Sequence, residues 1–178
     1  GTADCLEQVA IMLRLGGARG ACEDALVASR HALEIRKRVG SPAQVARSLE
    51  HIASTQLQLG RLEEAQQGLA EVLDLRDDLG DQAGLATAWG NMGTVHAAKA
   101  EFDSAIAAWR TALEYAERTG QKPYIPAFLN NIGEAYVEMG SFALAQTALK
   151  DARTITEESG DLGCLADILR NQGALMFA

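Results

Sequence analysis

One polar position returns every forty residues along this chain, as His51, Asn91, Asn131 and Asn171. A primary amide carries both a donor and an acceptor, so a row of amides can pair with the backbone of an extended peptide whatever its side chains. The same amides can instead cap or brace a neighbouring helix. Other polar candidates surround the row: Asn130 and Arg170 one residue before it, Thr94 and Glu134 three residues after it, and Arg47 and Gln58 near His51. Arg170 suits an acidic ligand group, whereas Glu50, Glu134 and Glu138 suit a basic one.

Catalytic chemistry finds little footing. The three histidines, His31, His51 and His96, fall on different predicted helices. His96 takes a packing position held elsewhere by Tyr136 or Gln56, and reads as core; His31 adjoins Arg30 and Arg36 on a face read as exposed. No cysteine stands at metal-ligand spacing from a histidine. Gly16-Gly17 followed by Gly20 lacks the strand, the lysine and the spacing of a phosphate loop. The sequence therefore predicts no enzyme, no metal and no cofactor. Cys5, Cys22 and Cys164 are odd in number and widely spaced, which reads as reduced thiols in a cytoplasmic protein and not as a disulfide framework.

The elements that must carry these residues repeat with the same period. Ile52, Met92, Ile132 and Gln172 hold one phase; Ala25, Ala65, Ala105 and Ala145 a second; Gly40, Gly80, Gly120 and Gly160 a third. The stretch from Phe128 to Gly160 shows the unit best. Leu129, Ile132, Tyr136, Phe142 and Leu149 recur at helical spacings, the small residues Gly133, Ala145 and Ala152 mark a close approach, and Gly140-Ser141 makes a turn between two helices. The expectation is an all-α array of antiparallel helix pairs, about four and a half repeats over one domain of residues 1–178: roughly 1–40, 41–80, 81–120, 121–160 and a half repeat 161–178. Each unit buries its apolar face only against its neighbours.

Local signals agree. Ser41-Pro42 has the chemistry of a helix start, Asp81 suits an N-cap, and Gln121-Lys122-Pro123 opens the next unit. Repeat one is least regular, with a helix over about Asp4 to Leu15, a break at Gly16-Gly17, and a second helix over about Ala21 to Val39. Trp89 and Trp109 sit on the buried phase and read as core. The final helix, Leu162 to Ala178, lacks a partner, so an apolar end near Leu175 and Met176 is expected to be adhesive. The start without methionine and the end inside a helix read as a piece of a longer protein.

The unit resembles the tetratricopeptide repeat (TPR) in a longer form. Repeat four supplies Leu129, Ile132-Gly133, Tyr136, Gly140, Ala145, Leu149 and Ala152; repeat three supplies Trp89, Met92-Gly93, His96, Ala100, Ala105, Trp109 and Ala112; repeat two supplies Leu49, Ile52-Ala53, Gln56, Gly60, Ala65, Leu69 and Val72. The departures are His96 and Gln56 at an aromatic position, Ala100 at the turn glycine, and the missing closing proline. The long form is similar to repeats of kinesin light chains and of bacterial regulators. The resemblance implies a right-handed superhelical solenoid whose first helices line a concave groove, where asparagines hold peptide ligands in similar families. It thus implies a protein- or peptide-binding scaffold with a groove formed by His51, Asn91, Asn131, Asn171, Asn130, Arg170, Thr94, Glu134 and Arg47. The mixed polar set departs from the lysine-rich clamp that captures a C-terminal carboxylate. Two alternatives stay open: a sensor or regulatory module of a larger bacterial protein, and a self-association module acting through the C-terminal half repeat.

Charge narrows the partner. The 178 residues carry a net charge of −8, which repels nucleic acid and anionic lipid and favours basic or neutral ligands. No apolar run is long enough for a membrane span.

Overall fold

The computed structural model describes residues 1–16, 19–159 and 162–175. Among them the helices are α1 (Thr2–Leu15), α2 (Arg19–Val39), α3 (Pro42–Gln58), α4 (Leu62–Asp78), α5 (Gln82–Ala98), α6 (Phe102–Thr119), α7 (Ile125–Glu138), α8 (Phe142–Ser159) and α9 (Leu162–Leu175). They form two compact units, Gly1–Asp81 and Gln82–Ala178. In the first, α1 packs on α2, α2 on α3 and α3 on α4; in the second the same succession runs from α5 to α9, and α7 also touches α9. The fold is all-α, built of stacked antiparallel helix pairs. The expected turn at Gly160-Asp161 and the Met176 end of the predicted adhesive surface lie outside the described residues, and so does the Leu175 side chain.

Helix starts follow the sequence chemistry. The Ser41 hydroxyl accepts from the Gln44 N–H at 3.4 Å while the Gln44 side chain accepts from the Ser41 N–H at 3.0 Å, a reciprocal cap of α3. Gln121 begins instead with a short 3₁₀ turn, Lys122–Tyr124, and α7 starts only at Ile125 with Pro126 in its first turn. The Gln121 side chain donates to the Ala83 carbonyl at 3.1 Å, which ties this junction to the start of α5.

Helix ends share one device. At Gly60, Gly80, Gly120 and Gly140 the backbone is left-handed, with φ between 63° and 73°. The next N–H reaches back five residues, as from Arg61 to the Gln56 carbonyl at 2.8 Å and from Ser141 to the Tyr136 carbonyl at 2.8 Å. This closes the last turn and gives partners to carbonyls that would otherwise have none. Ala100 makes the same turn at φ 58°, with Glu101 N–H bonded to the His96 carbonyl at 2.9 Å, although a Cβ is unfavourable there. Gly40, in phase with Gly80 and Gly120, does not share their left-handed backbone. Its Cα lies so close to α2 that a Cβ would stand 2.7 Å from the Arg36 carbonyl oxygen.

Inside each pair, small residues of the first helix meet large ones of the second. A Cβ on Gly93 would lie 2.5 Å from the Trp109 indole, and one on Gly133 would lie 2.6 Å from Leu149 Cγ. Trp109 is buried and donates its indole N–H to the Gly90 carbonyl at 3.0 Å. Phe128, Ile132 and Tyr136 of α7 complete the core of the second unit, and Trp89 packs against it half-buried. The Tyr136 hydroxyl accepts from Arg110 at 2.8 Å, so the tip of this buried ring is paired.

Two substitutions test these contacts by chemical denaturation. Ala100→Gly relieves the left-handed alanine and is expected to stabilise the chain by about 1 kcal/mol. Gly93→Ala, although a better helix former, forces a methyl into the indole and should destabilise by about 1–3 kcal/mol.

Candidate functional site

The second unit contains an open cavity of about 400 Å³ between α5, α6 and α7. Thr94, Ala97 and Ala98 enter it from one face of α5; Asn131, Glu134, Ala135 and Glu138 enter from one face of α7; Phe102 and Trp109 close it from α6. Helical periodicity explains the lining, since positions separated by three, four and seven residues share a stripe. The walls are apolar: Trp109 and Ala135 are buried, and Phe102 packs against the core. The mouth is acidic, with Glu134 and Glu138 both exposed. Among the described residues neither carboxylate has an ion pair or a hydrogen bond. The Thr94 hydroxyl donates to the Gly90 carbonyl at 3.1 Å, and so keeps only acceptor capacity for a ligand.

The asparagine row divides on inspection of its bonds. Asn171 donates its amide to Asn130 Oδ1 at 3.0 Å, joining α9 to α7, and Asn130 is buried. This is the bracing arrangement. Asn91 and Asn131 are half-buried on α5 and α7, and among the described residues their side chains make no hydrogen bond. Asn131, Thr94 and Glu134 meet in the cavity, whereas exposed Arg170 lies on α9 and pairs with Asp167 at 3.3 Å.

His51 and Arg47 belong to a different environment in the first unit. Buried Glu7 of α1 accepts from Arg36 of α2 at 2.5 Å and from Ser48 of α3 at 3.3 Å. Arg36 also donates to Ser48 at 2.7 Å and to Asp4 at 2.7 Å. Arg47 and His51 stand 3.9 Å from the same Glu7 carboxylate. Arg36, read from sequence as exposed beside His31, is therefore buried, while His31 is exposed. Forty residues on, buried Arg76 repeats the motif, donating to Glu50 at 2.5 Å and pairing with Asp81. Glu50 is thus bound to Arg76 and is not an open partner for a basic ligand. Asp81, expected only as a helix cap, also receives a buried cation. His96 is not core: it is half-buried and its Nδ1 lies 2.6 Å from exposed Glu101, whose carboxyl this contact holds below the ordinary range.

The sequence reading missed the cavity walls, having placed Trp109 and Phe102 only in the core. The signal was present in the paired stripes Thr94, Ala97, Ala98 and Asn131, Glu134, Ala135, Glu138, which continue the asparagine phase along two helices. It also missed Arg36 and Arg76. Their clue was a charge at the phase occupied by Ala116 and Thr156, both buried.

Among the described residues no group of three or more histidine, cysteine, aspartate or glutamate side chains is arranged to hold a metal ion. No helix among them is long and apolar enough to cross a membrane.

The sequence matches the tetratricopeptide repeat family over residues 84–158 and again over residues 46–79, together more than half of the chain. The chain belongs to the tetratricopeptide repeat family. Among solved structures it is similar to BtubC (BKLC) from P. vanneervenii, at 21% identity and TM-score 0.84 over 98% of this chain and 72% of that one. Aspartyl phosphate phosphatase F from Bacillus subtilis is similar at 15% identity and TM-score 0.86 over 98% of this chain. A putative kinesin light chain from Podosopora anserina with nearly identical TPR-like repeats matches at 15% identity and TM-score 0.71, over 98% of this chain and 89% of that one. At these identities the likeness is one of fold. The chain spans 46% of the phosphatase, about half its length. No curated protein sequence matches the chain.

Burial lowers the His51 pKa below its ordinary value of 6.5; Arg14 and Arg47 push the same way, and Glu7 and Glu50 oppose them. Folding therefore favours the neutral ring. That contribution is complete above about pH 6.5 and is lost as pH falls through the lowered folded value. Melting temperature measured from about pH 8 to about pH 5 should fall over this acid limb, and His51→Gln should flatten it.

Proposed function

We propose that this chain is a protein-binding scaffold that holds an extended segment of a partner against the first-helix face of its second unit. The observation that carries this reading is Asn131, whose amide enters an open cavity of about 400 Å³ and forms no hydrogen bond among the described residues. Asn91 offers a second unengaged amide one repeat earlier. Amides so placed pair with a peptide backbone without regard to its side chains, and the cavity that Asn131 lines supplies selectivity. Membership of a family of helical repeats supports the same reading, because stacked helix pairs expose long surfaces suited to protein partners. Asn130 and Asn171 serve here as braces that hold α9 against α7, and the Glu7 cluster makes His51 and Arg47 structural members of the first unit.

Selection from an unbiased displayed decapeptide library, followed by fluorescence polarisation with the recovered peptide, tests this. The Asn91→Ala/Asn131→Ala double variant should bind the peptide about tenfold or more weakly, from two lost hydrogen bonds. Its stability should stay within about 0.5 kcal/mol of the wild type, because neither amide has a partner to lose. Equal binding by the double variant, or no recoverable peptide, overturns the proposal.

A further inference from the structure

We infer that the cavity between α5, α6 and α7 is an arginine pocket, and that the segment bound by this chain is anchored by one arginine side chain. The inference rests on the proposed segment-binding role and specifies its ligand. It starts from the mismatch between the pocket's walls and its mouth. Phe102, Trp109 and the three alanines form a surface suited to an aliphatic stem or an aromatic ring. Glu134 and Glu138, one turn apart on α7, set two exposed carboxylates beside that surface, and among the described residues no cation faces either of them.

An apolar side chain would fill the walls yet strip water from both carboxylates without replacing it, which is costly. An acidic or phosphorylated side chain would meet the carboxylates and a net charge of −8 and be repelled. A long cationic side chain satisfies both parts, with its stem against the alanines and rings and its head between the acids. Arginine fits better than lysine. Its planar fork offers five donors that can serve Glu134, Glu138, the Asn131 carbonyl oxygen and the Thr94 lone pairs together, and its flat face stacks on aromatic rings. The Trp109 indole N–H is already bonded to the Gly90 carbonyl and the residue is buried, so the ring is a fixed part of the cavity lining. The third acid suggested by sequence, Glu50, is paired with Arg76, so of the three it is Glu134 and Glu138 that remain open to a basic ligand.

The test uses blocked arginine, N-acetyl-arginine N-methylamide, titrated into the intact chain and followed by proton–nitrogen NMR. The Trp109 indole N–H and the Asn131 side-chain amide should shift together and saturate. The isosteric neutral probe, N-acetyl-citrulline N-methylamide, should bind about tenfold or more weakly, and Glu134→Gln/Glu138→Gln should weaken arginine binding to a similar extent, since each removes charge-assisted hydrogen bonds. Both glutamates are exposed, so the variant keeps its fold. Absence of a saturable shift at Trp109, equal binding of citrulline, or indifference to the double glutamine variant overturns the arginine pocket. The blocked amino acid has no extended backbone for Asn91 to hold. Its failure is therefore separable from failure of segment binding, which the Asn91/Asn131 variant reads.

Discussion

The structure depends on how closely the two helices of a pair can approach. At Gly93 and Gly133 the first helix has no side chain, and the indole of Trp109 and the isobutyl group of Leu149 lie where its Cβ would be. The same phase holds Ala53 and Leu69 in the first unit, both buried. A small residue facing a large one sets the spacing of the pair, and that spacing decides what else can be buried. In the second unit it brings Trp109 against the backbone of α5, where the indole N–H finds the Gly90 carbonyl. It also exposes one edge of the aromatic layer between α5 and α7, and this edge is the cavity. Core and candidate site are therefore two sides of one packing arrangement, and the ring that fills the pair also forms the wall of the pocket.

The two units solve the next layer of packing differently at equivalent positions. In the first, Arg36 and Arg76 cross from the second helix of a pair to acids on first helices, with Ser48 completing the partners of Glu7. In the second, the corresponding positions are Ala116 and Thr156: Ala116 joins the core that holds Phe128, which packs over Gly90, and the Thr156 hydroxyl donates to the Ala152 carbonyl. A buried ion pair repays its desolvation only when its geometry and additional hydrogen bonds are good, and losing one partner costs about 3–5 kcal/mol. The ionic solution is thus demanding in orientation, while the aromatic one is demanding in volume. The difference matters for function because the ionic solution binds its acids. Glu7 and Glu50 are each bound by a buried arginine and are not open to a basic ligand.

Much of the fold was legible in the forty-residue phase, because glycine, alanine and large apolar residues each have one role in a helix pair and recur with it. The Gly60, Gly80, Gly120 and Gly140 turns and the Ser41 cap needed only local chemistry. Periodicity failed where one phase can serve two structural purposes. Gly40 shares its phase with Gly80 and Gly120 but accommodates the Arg36 carbonyl instead of a left-handed turn. Arg36 looked like a surface residue because a lone arginine in a helix usually is one, and its partners Glu7 and Ser48 come from elements 29 and 12 residues away. The phase shared with buried Ala116 and Thr156 marks the position as inward, but spacing alone does not name the partners that Arg36 meets there.

The candidate site shows the same limit from the other side. Four residues in one phase looked equivalent, yet each sits opposite a different neighbour. Asn171 finds Asn130, His51 finds the Glu7 cluster, and Asn91 and Asn131 find no hydrogen-bonding partner among the described residues. The repeat places a polar group at the right point of the surface each time, and the neighbouring helix decides whether that group is satisfied internally. Function is thus to be sought where the repeat's polarity is retained and its internal partner is missing. In the second unit that condition coincides with an aromatic wall and two unpaired carboxylates on α7. A residue that must serve the fold cannot freely serve a ligand. The combination of Asn131, Glu134, Glu138 and Trp109 is one in which the fold has already fixed the ring and left the polar groups available.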